Sequence, residues 1–190
     1  NVRVNTNLST TNTGIFELLC ELSNVHWTVS VEAIEEEYNY IRYHGNWHDF
    51  SKNIDVISKL DHKITFNMLH FILNYKSIHT CVDYLKGKGF KDNSFVIGPL
   101  YNPPHLNTMN LPDEMMHEVL FDLKDRLERH PMGYLKNSYE NLVEYYTSTN
   151  FKKNMKSFYY NLGSMDQRRK QDARNVFPEL FKGLDAYTLE

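Results

Sequence analysis

Cysteine is scarce in this chain of 190 residues: Cys20 and Cys81 are its only two, and each falls in an amphipathic stretch rather than a paired motif. That excludes a disulfide scaffold and fits buried thiols in a reducing compartment. Long apolar runs are missing as well. None approaches the roughly 18 residues of a membrane span, and no signal-peptide pattern opens the sequence. A soluble, cytoplasmic protein with no membrane partner is expected. Positive charge is not in excess, with 21 Lys and Arg against 24 Asp and Glu and a formal net charge of -3. No basic field is present for a nucleic-acid partner, and the run Arg168, Arg169, Lys170 reads as a solvated helix face.

Several catalytic signatures are also absent. No Gly-x-x-x-x-Gly-Lys phosphate loop, Gly-x-Gly-x-x-Gly or Gly-x-Ser-x-Gly occurs, so ATP hydrolysis, Rossmann redox and serine hydrolysis lose their main support. His44 and His48 have the i, i+4 spacing of helical ligands among nine histidines. No third ligand accompanies them, so no metal site is assigned within the chain. No repeat or low-complexity segment occurs.

What is present is an alternation of strands and helices. Residues 2–5 predict a short strand that ends in the turn Thr6-Asn7-Leu8-Ser9. A helix is expected over 13–22, where Ile15, Leu18, Leu19 and Leu22 share one face. Residues 25–31 alternate Val25, Trp27, Val29 and Val31 with polar residues, a strand, and a loop or helical turn follows over 35–42. Asn46 can cap a helix carrying Trp47, Phe50, Ile54 and Ile57 inward. Residues 63–71 are the third strand, Asn74 is expected to cap the next helix, and 94–97 form a fourth short strand stopped by Gly98 and Pro99. After about residue 110 helices take over: one from Pro112 to Arg129, two over 138–146 and 151–160, and a last one opened by the Ser-x-x-Gln spacing of Ser164 and Gln167. The fold class expected is α/β, a parallel half-barrel over 1–110 followed by a mostly helical region over 111–190.

In parallel α/β folds, ligands bind at the carboxyl ends of the strands. Thr6 and Asn7, Ser30 and Glu32, Asn67 and the Gly98-Pro99 turn stand there. Ser30 and Glu32 can equally cap the helix that follows them. Asn67 interrupts an apolar strand, where an unpaired amide costs about 1–3 kcal/mol, so it is either a site residue or a structural hydrogen-bonding group.

The order of these short motifs resembles the radical SAM enzymes. Thr6-Asn7-Leu8 is similar to that family's Thr-Asn-Gly turn after its third strand. Ser30-Val31-Glu32, with Ile41-Arg42 behind it, is similar to the Ser-Leu-Asp and Ile-Arg-Gly segments of the fourth. The stretch from Ile64 through Asn67, with Asn74 ahead of a helix ending Lys88-Gly89-Phe90, resembles the fifth strand and helix. Phe95 to Tyr101 and the Pro-rich link to Pro112 resemble the sixth strand and exit, in the subgroup with a twitch C-terminal region. The likeness covers roughly the first 115 residues.

The resemblance implies strands 3–6 of a partial TIM-like barrel that binds S-adenosylmethionine and a [4Fe-4S] cluster and generates a 5′-deoxyadenosyl radical. By position it places Ser30, Glu32 and Asn67 against S-adenosylmethionine, Thr6 and Asn7 beside it or the substrate, and Arg42 against a carboxylate. The substrate is an unidentified peptide or small molecule, and no catalytic residue is assigned. The chain departs from the family in lacking the Cys-x-x-x-Cys-x-x-Cys loop and the Gly-Gly-Glu segment, and in having Leu8 and Glu32 where Gly and Asp are usual. A start at Asn1, without methionine and at the third strand, suggests a truncated chain whose N-terminal half holds the cluster ligands and is a candidate partner. The alternative is a non-catalytic binding or interaction protein built on a degenerate half-barrel. A third reading, a small α/β enzyme using Glu32 as general acid or base, lacks a second catalytic group.

Overall fold

The structure, a computed structural model, describes residues 2–9, 13–130 and 132–187. Among them β1 (Val2–Thr6), β2 (Val25–Ser30), β3 (Lys63–His70) and β4 (Phe95–Pro99) form one parallel sheet in the sequential order β1-β2-β3-β4. Its connections carry α1 (Thr13–Glu21), α2 (Glu35–Ile41) with α3 (Trp47–Ile57), and α4 (Ile78–Gly87). The α/β class and the alternating order expected from the sequence are both present.

Side chains alternate across a strand, and sequential parallel strands joined by crossovers of one hand receive their helices on one side. The two faces of this sheet differ accordingly. Val25, Trp27, Val29, Ile64, Phe66 and Met68 are buried on the helix side. Arg3, His26, Thr28, Ser30, Thr65 and Asn67 point the other way and are half-buried or exposed. His26 and Thr65 bond across that polar face at 3.0 Å.

The helical region comprises α5 (Asp113–Arg129), α6 (Tyr134–Ser148), α7 (Met155–Arg169), α8 (Ala173–Val176) and α9 (Pro178–Tyr187). It contributes Met115, Leu123, Leu142 and Phe158 to the same apolar core as the sheet. One edge of the sheet is covered by α6, where Ser138 Oγ accepts from the Ile97 N–H at 2.9 Å, the protection an edge strand needs. At the other edge β1 pairs with β2 alone among the described residues. No helix among the described residues is long and apolar enough to cross a membrane.

Several local expectations change. Asn46 caps α3 as expected, accepting from His48 N and Asp49 N. Asn74 does not cap α4, whose N-cap is Ser77 without a side-chain bond; its amide is used inside the core instead. Ser164 opens no helix: α7 runs through it without a break, and its hydroxyl bonds back to Tyr160 O at 2.8 Å. The apolar stripe expected over 13–22 is not buried throughout: Ile15 and Leu18 are each 59% exposed, and Leu22, past the end of α1, is 39% exposed.

Candidate functional site at the carboxyl-end rim

Ser30 and Asn67 are Cα partners in the β2–β3 register, and Val96 follows Asn67 in the β3–β4 register. The row lies near the carboxyl ends of the strands on the uncovered face. Asn67 is exposed and Ser30 half-buried, and neither side chain has a hydrogen-bond partner among the described residues. Asn67 therefore carries no buried-amide cost. It occupies the polar alternate of β3 with Thr65, while Phe66 and Met68 take the apolar one.

Two residues further along, the same alternation leads into a cavity. Glu32 stands two residues past Ser30 and Leu69 two past Asn67, and Leu100 joins them from four residues past Val96. With Arg42, Phe71, Leu106, Met165 and Arg169 among its other walls, they line an open pocket of about 270 Å³. The helical region roofs the space: Tyr40 OH donates to Asp166 Oδ1 at 2.6 Å, and Arg169 Nη1 donates to Tyr40 O at 3.3 Å. Tyr40 thus fastens α7 to α2 directly over the strand ends.

Glu32 is 2% exposed. Its carboxylate takes a two-pronged ion pair from Arg42, with Nε at 2.7 Å from Oε2 and Nη2 on Oε1. Burial pushes the Glu32 carboxyl above its ordinary range, and the facing guanidinium pulls the other way. Neither Ser30 nor Glu32 caps α2, whose N-cap is Ile34 without a side-chain bond. The structure thus brings Glu32 and Arg42 together, but as partners of each other. The turn behind Arg42 has no room for a side chain: a Cβ on Gly45 would stand 2.6 Å from Arg42 O and 2.9 Å from its Cβ.

Asn74 is the residue that sequence reasoning misassigned. Fully buried, it donates from Nδ2 to Glu32 O at 3.0 Å and Leu69 O at 2.8 Å, and accepts from Phe71 N at 2.8 Å. It stitches together the β2 and β3 ends that carry the rim. The sequence signal was its setting, an amide within Phe71-Ile72-Leu73-Asn74-Tyr75, where a core position fits better than a surface cap.

Thr6 and Asn7 lie at the end of β1 and are not among the cavity's walls. Their side chains serve the turn: Thr6 Oγ1 accepts from Leu8 N at 2.9 Å and Asn7 Oδ1 from Ser9 N at 3.2 Å. Leu8 has φ 53, the left-handed region, while its side chain is 1% exposed. A residue with a Cβ holds that conformation only when its surroundings fix it. Tyr38 OH donates to Asn7 O at 2.8 Å and Asn53 Nδ2 to Leu8 O at 2.7 Å, straps from α2 and α3.

Iron–sulfur ligation fits this chain poorly. Cluster binding needs about three thiolates, whereas Cys20 sits half-buried in α1 and Cys81 fully buried in α4. Burial holds the Cys81 thiol well above its ordinary range, and no three His, Cys, Asp or Glu side chains gather as a metal site among the described residues. No family model, curated protein or solved structure matches the chain.

Proposed function

We propose that this chain is the C-terminal part of a radical SAM enzyme of the twitch subgroup, in which the carboxyl-end rim binds S-adenosylmethionine. The observation that carries the reading is the uncovered polar face of a sequentially ordered parallel sheet, ending in the Ser30–Asn67 row. All-parallel sheets ordinarily have both faces covered. A sheet wound with its helices on one side only is the geometry of a barrel segment, whose inner face looks onto a shared interior. In this reading the four strands are strands 3–6 of a partial barrel.

Leu8 adds support. Its left-handed φ of 53 is a conformation that a glycine at this place would adopt without strain, which supports the likeness to a Thr-Asn-Gly turn.

Ser30 and Asn67 would hold S-adenosylmethionine, since both offer uncommitted polar groups. Glu32 and Arg42 would border it as a preformed neutral pair, and Thr6 and Asn7 would shape the neighbouring turn. Bound there, S-adenosylmethionine would supply the adenosyl group for radical chemistry. Cys20 and Cys81 do not hold that cluster; in the proposal its ligands lie on an N-terminal half outside this chain. The substrate is a peptide or small molecule.

The second reading, a non-catalytic binding protein on a degenerate half-barrel, is favoured by those same two scattered thiols and by the mutual commitment of Glu32 and Arg42. One experiment separates the two. The protein expressed from its complete reading frame is purified anaerobically, reduced with dithionite and given S-adenosylmethionine. Formation of 5′-deoxyadenosine is expected, together with a brown iron–sulfur absorbance. A colourless protein that forms none overturns the enzyme reading.

A further inference from the structure

The rim cavity carries a charge that its own walls do not neutralise. Of the charged side chains lining it, Glu32 and Arg42 cancel as an ion pair. Arg169 remains. Among the described residues it has no ion-paired carboxylate; its contacts are the 3.3 Å bond to Tyr40 O and the Tyr43 ring, 4.7 Å from the guanidinium carbon. The two carboxylates nearest in sequence are engaged elsewhere, Asp166 by Tyr40 OH and by Ala173 N at 3.0 Å, and Asp172 by Arg174 N and Asn175 Nδ2, each at 2.9 Å. The rest of the lining is largely apolar, with Leu69, Phe71, Leu73, Leu100, Leu106 and Met165.

We propose that this cavity takes a small carboxylate with an apolar body, a ligand separate from S-adenosylmethionine, and that Arg169 anchors its carboxylate. One uncompensated cation selects a monoanion, and a guanidinium matches a carboxylate with two parallel N–H donors. Size sets the body. An apolar cavity of about 150 Å³ holds a benzene ring, so the roughly 270 Å³ here accommodates a ring with a short acidic tail. S-adenosylmethionine suits the cavity poorly, because its sulfonium and ammonium groups would meet a net positive, mostly apolar wall. The inference rests on placing the site at this rim and is independent of radical chemistry.

The test titrates 3-phenylpropionate and its neutral isostere 3-phenylpropanamide into the ¹⁵N-labelled chain, following amide shifts of the cavity residues. The carboxylate is expected to bind at least about tenfold more tightly than the amide, the size of one charge-assisted contact. Arg169→Met is expected to abolish that ratio while amide binding persists, and Arg169→Lys to keep part of it. Leu106→Trp, which leaves Arg169 in place and fills the space, is expected to block both probes, and keeps the test decisive if Arg169→Met loosens α7. Equal binding of the two probes, or a ratio unchanged in Arg169→Met, overturns the proposal. So does displacement of 3-phenylpropionate by S-adenosylmethionine, which would assign Arg169 to the cofactor. Probe binding without any affinity for S-adenosylmethionine would sink the cofactor reading while leaving this inference standing.

Discussion

Arg42 closes on Glu32 with both prongs of its guanidinium, and does so around a carboxylate whose side chain is 3% exposed against 27% for the arginine. The pair is therefore asymmetric: losing the arginine strands a buried charge, whereas losing the acid leaves a cation that can reach water. Arg42→Ala is expected to destabilise the fold by about 3 kcal/mol, at the lower end for a broken buried pair. Adding Glu32→Gln to it should restore part of that loss. The pH dependence has a definite sign. Without Arg42, burial alone acts on Glu32 and holds its folded pKa above the ordinary 4.5. The folded state then keeps a proton that the unfolded chain releases, so stability falls as pH rises above 4.5. Thermal melts should show a smaller Arg42→Ala deficit at pH 5 than at pH 7; equal deficits would count against a buried, paired Glu32.

Asn74 serves three backbone groups at once. Asn74→Ala leaves them buried without partners, at about 1–3 kcal/mol for each unsatisfied group before relaxation. A loss of at least about 3 kcal/mol in chemical denaturation is expected. Asn74→Asp should be no better, because it replaces the amide donor with a carboxylate facing two carbonyl oxygens. A neutral Asn74→Ala would mean that the rim is held together by other contacts.

At Leu8 the usual order of substitutions is expected to reverse. Both Leu8→Ala and Leu8→Gly lose a buried side chain, about 2–5 kcal/mol for truncation to alanine. Only glycine relieves the left-handed backbone, worth about 1–2 kcal/mol. Leu8→Gly should therefore be the more stable of the two variants, by about 1 kcal/mol. The opposite order would indicate an ordinary right-handed or extended Leu8.

His70 is expected to contribute to the loss of stability on the acid side. It is fully buried, with Nδ1 at 2.7 Å from Tyr146 OH and Nε2 at 3.1 Å from Tyr75 O. Burial, reinforced by His79, lowers its pKa from 6.5 to about 4. Between those values the unfolded chain binds a proton that the folded chain refuses, so stability drops as pH falls through the window. His70→Gln should lower stability at pH 7, where it loses a well-fitted ring, yet show a shallower decline from pH 6.5 to 4.5 in urea titrations. A parallel decline would place the acid sensitivity elsewhere.

The four strands were legible because Val25, Trp27, Val29 and Val31 alternate with polar residues, and because Asn46 and Gly89 punctuate the helices in ordinary ways. The polar ends of β2 and β3 were legible as well, since Ser30 closes the polar alternate of its strand and Asn67 stands out in a strand rich in apolar residues. Their different fates were not. Glu32 and Arg42 are ten positions apart, and no local rule announces that they satisfy each other. Asn74 looked like a cap because an asparagine before an amphipathic run usually is one; only the approach of Glu32 O and Leu69 O gives it core work. Ser164 carried a capping-box spacing, but α7 docks on Tyr40 through Asp166 and Arg169, and that tertiary contact keeps the helix continuous. Arg169 itself read as one member of a solvated basic run, and its place over the cavity depends on a bond to a residue 129 positions away.

The rim itself is tested most directly by titrating S-adenosylmethionine into the ¹⁵N-labelled chain and mapping the shifted amides. Saturable shifts centred on Ser30, Asn67 and their β2–β3 neighbours are expected, weakened at least tenfold by the double substitution Ser30→Ala with Asn67→Ala while the fold, read from the remaining spectrum, is unchanged. Absence of saturable shifts, shifts centred away from this row, or full binding by the double variant would contradict a cofactor site at the carboxyl ends of β2 and β3.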